Sequence, residues 1–220
     1  MRWLTAALLA AFSIPVSGQV VESVAAPVPN PPPARIGTAE LAEYDSLPED
    51  RRKLIEGALA VLNDSPWLPY LTGGAEPEAG GLDCSGAMYF VMRKAGLDPP
   101  RSSGGQYEWL KENDRLHEVA ADAVDNKDPS LADLKPGDLL FWTKSDAPED
   151  VPAVPRVHHV AMYLGTEKKD GRPVMINSTD GRSYRGQKAN GYGVYDFRVP
   201  KADSPSRIAG YGPPPGLKLE

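Results

Sequence analysis

The sequence predicts an α+β domain in which N-terminal helices pack on an antiparallel sheet. Three observations predict it. Apolar residues recur at helical spacing in the first half of the chain and in short, strand-like runs in the second. The helical runs precede the strands instead of alternating with them, which favours segregated layers over βαβ units. The 220 residues include 23 Pro and 21 Gly, so much of the chain is loop and the helices are short.

The elements follow in order. Arg2 precedes a short apolar run from Trp3 to Ile14, with small residues at Ser17 and Gly18. A positive flank and an apolar stretch too short to cross a bilayer read as a cleaved secretory signal over residues 1–18, cut after Gly18 with Ala25 as the alternative. A buried N-terminal helix is the competing reading. Residues 19–46 read as a linker, because the Pro density of AAPVPNPPPAR (25–35) resists helix and ladder alike. The folded domain is then 47–220.

Pro48 with Glu49 and Asp50 opens an amphipathic helix whose apolar positions are Leu54, Ile55, Ala58, Leu59 and Leu62. It carries no titratable group at a suggestive spacing and reads as packing. The loop PWLPYLTGGAEPEAGG (66–81) precedes a second helix starting near Cys84 and ending at Gly96, with Met88, Val91 and Met92 on one face. Ser102 or Ser103 caps a third, short helix through Tyr107, Trp109 and Leu110. Five strands follow, over 138–142, 158–165, 173–178, 192–199 and 207–212, bounded by Gly, Pro, Asp and Asn.

Composition excludes several functions. The formal net charge of -6 disfavours a phosphate-binding surface, so nucleic acid is not an expected partner. A single Cys rules out an intrachain disulfide and a multi-Cys zinc site. No cofactor and no metal are expected, nor stable membrane insertion, and the chain is expected to act as a monomer.

A lone thiol in an exported chain is either a buried small hydrophobe or a reactive group. Cys84 sits in Asp83-Cys84-Ser85-Gly86 at a helix start, after a glycine-rich loop with Gly73, Gly74, Gly80 and Gly81. The unpaired N–H groups and positive end of the helix favour a thiolate there, so a lowered thiol pKa is expected. The same N–H groups can stabilise an oxyanion. A thiol nucleophile needs a base, oriented by a third polar group. Of three His, His117 lies in the charge-rich KENDRLHEVA and reads as a surface residue, whereas His158 and His159 begin a strand. Alternation puts His159 with Ala161 and Tyr163, and His158 with the more apolar Val160, Met162 and Leu164. The space beside Ala161 favours His159 as the base, with His158 the alternative. Asn177 in VMINS is the orienting candidate; Asp180, in the turn STDG, is the competitor and fits a turn-shaping role better.

The blocks LDCSG, PPRSSGGQ, LKPGDLLFW, HHVAMYLG and MINS, in that order, resemble the NlpC/P60 family of cell-wall cysteine peptidases, over roughly Leu47 to Gly212. The resemblance implies a compact papain-like fold, with a helix bearing Cys84 packed on a five- or six-stranded sheet bearing His159. By position it implies Cys84 as nucleophile, His159 as base and Asn177 in the third polar place. It implies peptidoglycan stem peptides as substrate, cut between γ-D-glutamyl and a diamino acid; with the signal-like N-terminus, the expected location is the periplasm or outside the cell. It also implies that Tyr70, ahead of Gly73-Gly74, lines the cleft, and that Asp83 and Ser85 hold the peptide's free amino end, with Arg101 a further binding candidate. Thr72 stands where many members carry an aromatic, Asn177 where His is more frequent, and the segment 143–157 is long and acidic, either a surface loop or a lid. The competing functions are a thiol amidase or acyltransferase on another amide or ester, and a catalytically idle wall-peptide-binding protein of the same fold.

Overall fold

The glycine- and proline-bounded runs of the second half assemble into one antiparallel sheet, and the helices of the first half cover one face of it. The computed structural model describes residues 33–65, 67–146, 150 and 156–219. The elements in chain order are α1 (Glu49–Asp64), β1 (Ala75–Glu76), β2 (Gly81–Leu82), α2 (Cys84–Lys94), α3 (Ser103–Glu112), β3 (His117–Glu118), β4 (Leu139–Lys144), β5 (Val157–Thr166), β6 (Pro173–Thr179), β7 (Ser183–Tyr184), β8 (Gln187–Lys188), β9 (Gly191–Asp196) and β10 (Ser206–Gly212). The large sheet has the order β3-β10-β4-β5-β6-β9, antiparallel throughout. Five of its strands are the five expected from the sequence; the sixth, β3, comes from the charged stretch around His117. That stretch has no alternation to reveal a strand, and it pairs because Gly210 and Tyr211 of β10 offer an open edge.

The sheet is buried on both faces. Val160, Met162, Leu164, Val174 and Ile176 pack under the helices with Leu54, Ile55, Ala87, Met88 and Met92. On the reverse face Ala161, Tyr163, Met175 and Tyr195 pack with Val119 and Leu131 from the long connection before β4. Burial of each large apolar side chain contributes about 1.5–3 kcal/mol, so α2 is held to the sheet by its inward face. Ser102 caps α3 by accepting from Gly105 N at 3.1 Å.

Three polar ties bring the chemistry-bearing segments together. Ser178 Oγ on β6 donates to Leu82 O at 2.6 Å, two residues ahead of Cys84. Gln106 Nε2 on α3 donates to Ser85 O at 3.1 Å. Ser103 Oγ donates to Val157 O at 3.0 Å, where β5 begins. On the far side, buried Arg51 of α1 donates to Asp138 Oδ1 at 2.8 Å and to Pro136 O at 2.7 Å, joining α1 to the turn that starts β4.

The residues expected as a signal, 1–18, lie outside the described residues, as do 147–149 and 151–155 of the acidic segment. The described end of the expected linker is docked, not free: Val194 N donates to Ala34 O at 3.1 Å and Ala42 N to Thr166 O at 2.8 Å, with Ile36 and Leu41 buried. Ile36 and Leu41 are apolar anchors that the Pro-rich run ahead of them obscured. Among the described residues no helix is long and apolar enough to cross a membrane.

Candidate active site

Cys84 is the first residue of α2, and Asp83 is its N-cap, accepting from Gly86 N at 2.6 Å through Oδ1. The loop before it turns at Gly73, whose φ of +81° is open to glycine. Gly74 and Gly86 touch so closely that a Cβ on Gly86 would lie 1.9 Å from Gly74 O. This contact seats the glycine loop on the first turn of the helix and leaves the thiol at the junction.

The thiol faces β5. Its Sγ lies 4.0 Å from His158 O, and the N–H groups of Val160, Ser85 and Cys84 point toward it. Burial raises the thiol pKa, and those N–H groups oppose the rise without reversing it. The helix start therefore does not produce the depressed thiol pKa that the sequence suggested, because desolvation of a thiolate outweighs a few N–H dipoles. Tyr70 brings its hydroxyl against the thiol, and burial followed by the charges of Cys84 and Asp83 raises its pKa.

His159 sits at a β-bulge. Trp142 pairs with His159 but Thr143 pairs with Val157, so His158 is an extra residue on β5. Two residues facing one break the strict alternation, and period alone could not assign the two rings. The structure gives them different neighbours. His158 is exposed, with Nε2 3.4 Å from Ser206 Oγ. His159 is partly buried against Trp142, ring centroids 5.4 Å apart. Asn177 turns to the same face of the sheet, and its amide lies 2.7 Å from His159 Nε2. Both polar contacts of the ring are made through Nε2, and no hydrogen bond joins His159 to Cys84 directly. Asp180 is exposed in its turn.

Asp83, Ser85 and Arg101 close on one another. Arg101 donates from Nη1 to Asp83 Oδ1 at 3.1 Å and to Ser85 Oγ at 2.9 Å, and from Nη2 to Asp83 Oδ2 at 2.8 Å and to Gly74 O at 3.1 Å. Asp83 Oδ2 also accepts from Gly73 N at 2.9 Å. Burial raises the Asp83 pKa, but Arg101 and the N–H groups of Gly86 and Gly73 outweigh it and hold the carboxyl below its ordinary value. Both carboxylate oxygens are committed to the fold, so an ammonium contact to Asp83 would have to displace existing hydrogen bonds.

One residue of the site was not found in the sequence. Arg182 lies in a turn, in STDGR, where no periodicity marks it. Its guanidinium stacks 4.3 Å over Trp142, and its Nε donates to His159 Nε2 at 3.3 Å. Burial lowers its pKa to about 10, with the charge of Cys84 acting in the opposite direction. Burial, then Arg182, then His158 hold the His159 pKa well below that of an ordinary imidazole. Among the described residues no group of three His, Cys, Asp or Glu is placed to hold a metal ion.

A helix carrying a thiol at its N-terminus, packed on an antiparallel sheet that carries a His–Asn pair, is the papain-like α+β architecture. Residues 68–195 match the profile of the NlpC/P60 family, and the chain belongs to that family. It is similar to the gamma-D-glutamyl-L-lysine dipeptidyl-peptidase of Bacillus subtilis, 34% identical over 114 residues that cover 50% of this chain and 30% of that one. It is also similar to the gamma-DL-glutamyl hydrolase of B. subtilis, 31% identical over 144 residues, 66% of this chain and 26% of that one. The match thus spans less than a third of either relative. Among solved structures it resembles the peptidoglycan hydrolase RipB of Mycobacterium tuberculosis, with 23% identity, a TM-score of 0.41, and coverage of 76% of this chain and 69% of that one.

Proposed function

We propose that the protein is an exported cysteine peptidase that hydrolyses γ-D-glutamyl amide bonds in peptidoglycan stem peptides. The observation that carries the reading is the thiol of Cys84 at a helix start, packed against the strand whose His159 is bound to Asn177 at 2.7 Å. Two relatives named for γ-glutamyl chemistry support the choice of bond.

In this reading His159 Nδ1 takes the thiol proton while Asn177 Oδ1 accepts the proton on Nε2. The thiolate adds to the γ-carbonyl carbon, and the N–H groups of Cys84 and Ser85 stabilise the oxyanion. The C–N bond breaks as His159 returns its proton to the leaving amine. Water, deprotonated by His159, then releases the glutamyl acid and regenerates the thiol. Tyr70 forms a wall of the cleft, and Asp83, Ser85 and Arg101 act as the frame that shapes it.

Purified stem peptides and intact peptidoglycan, digested and analysed by mass, test the proposal. Fragments ending in a free γ-carboxyl of glutamate are expected, with none from Cys84→Ala. His159→Ala should lose roughly two or more orders of magnitude, as expected for loss of a general base, and His158→Ala far less. Cleavage at another bond would replace the substrate assignment, and equal activity of Cys84→Ala would remove the mechanism.

A further inference from the structure

Arg182 has no part in the mechanism above, yet it touches the base. It is a largely buried cation with which no described carboxylate pairs. A buried cation without a counterion is costly, so its contacts with its neighbours bear directly on the site.

The geometry constrains the protons. An arginine Nε always carries hydrogen and can only donate. With Arg182 Nε donating to it at 3.3 Å, His159 Nε2 must present a lone pair, so a neutral ring carries its proton on Nδ1. The Asn177 amide lies 2.7 Å from the same nitrogen. A neutral ring accepts from Arg182 at that nitrogen without conflict. An imidazolium would be worse: its Nε2–H would oppose an N–H of a second cation. The proposed mechanism needs the opposite arrangement, with Nδ1 bare and Nε2–H held by Asn177 Oδ1.

We propose that Arg182 is a positioning residue that holds His159 neutral, with its proton on Nδ1, in the free protein, and that the ring becomes a base only when Arg182 leaves Nε2. The exchange moves one ring proton from Nδ1 to Nε2 through solvent, with no net gain or loss, and Asn177 turns its amide to receive it. The second clause rests on the reading of His159 as the base; the first does not. The other groups that bear on the ring do not supply this control. Trp142 and Asn177 pack against it uncharged, His158 adds to its low pKa, and Lys144 acts on His158.

Nitrogen NMR of the full chain labelled with 15N-histidine tests the proposal, with the His159 signals identified by their loss in His159→Gln. At neutral pH the wild-type ring is expected to carry hydrogen on Nδ1 and none on Nε2, and to stay neutral well into the acid range. Arg182→Leu, which keeps apolar cover over Trp142, should move the proton to Nε2 and shift the titration to higher pH. Arg182→Lys, which restores the charge, should bring the titration back down. His117, stacked on Tyr211 at 5.1 Å on the edge strand β3, reports in each variant that the fold is intact. A wild-type ring protonated on Nε2, or an Arg182→Leu ring unchanged in tautomer and titration, overturns the proposal. The tautomer is read without turnover, so a protein inactive toward wall peptides still returns the answer.

Discussion

A thiol packed between a helix start and a strand is a weak nucleophile until something takes its proton. At Cys84 burial raises the pKa, and the surrounding N–H groups only moderate the rise, so the resting group is the thiol. Alkylation of Cys84 by iodoacetamide should therefore be slow at neutral pH and rise on the alkaline side of an ordinary thiol, about 8.5. The pH dependence of the rate in the folded protein checks this; fast alkylation near pH 6 would show a thiolate–imidazolium pair instead. His159 agrees with a neutral resting pair, since burial and Arg182 keep its ring uncharged. In the proposed mechanism the proton is then transferred during catalysis, not before it.

At the scale of elements, the site depends on how tightly the glycine loop lies on α2. Asp83 caps the helix, holds Gly73 and pairs with Arg101, while Arg101 reaches Gly74 O. Gly86 is the helix residue over which this loop passes. A Cβ there would meet Gly74 O at 1.9 Å and Arg101 Nη2 at 2.9 Å, and a backbone oxygen cannot rotate aside. Gly86→Ala is expected to destabilise the fold by about 1–3 kcal/mol through overpacking, measurable by urea unfolding. It should also lower kcat more than stability predicts, because the loop carrying Tyr70 would be pushed from the thiol. Gly57 is the control, since a Cβ there meets nothing within 4 Å; Gly57→Ala should stabilise the helix by some tenths of a kcal/mol, up to about 1.

For the molecule as a whole, burial of both sheet faces makes His159 a pH-sensitive part of the fold. Its folded pKa is depressed, whereas in the unfolded chain it titrates near 6.5. Between those values the unfolded state binds more protons than the folded one. This contribution is complete above about pH 6.5 and is lost as the pH falls toward the folded value, with a slope of at most about 1.4 kcal/mol per pH unit for one group. Urea midpoints measured from pH 7.5 to pH 5 should decline, and His159→Gln should flatten that decline. A wild-type profile identical to that of His159→Gln would show that the ring titrates normally. The Arg51–Asp138 pair, with side chains 5% and 2% exposed, lies away from this effect and fastens α1 to the sheet. Removing one partner of such a pair costs about 3–5 kcal/mol because the other charge stays buried.

Much of this was legible in the sequence, and the rest was hidden for identifiable reasons. The helix of Cys84, the Ser102 cap of the next helix and the five long strands were legible because periodicity and capping are local properties of the chain, whereas the capping role of Asp83 came only with the structure. That Asn177 would meet His159 was legible too, as a contrast between the strand residue Asn177 and the turn residue Asp180. Three things were decided by tertiary structure alone. The bulge at His158 is a mismatch between two strands, invisible in either one. The state of the thiol depends on what packs over it, and burial reversed the pKa expected from the helix start. Arg182 lies five residues beyond Asn177, in a turn without pattern, and meets His159 and Trp142 only because β4, β5 and β6 bring them side by side. The sequence by itself determined which groups could do chemistry; contacts between segments far apart in the chain decided their charge states, because desolvation and pairing are properties of the assembled fold.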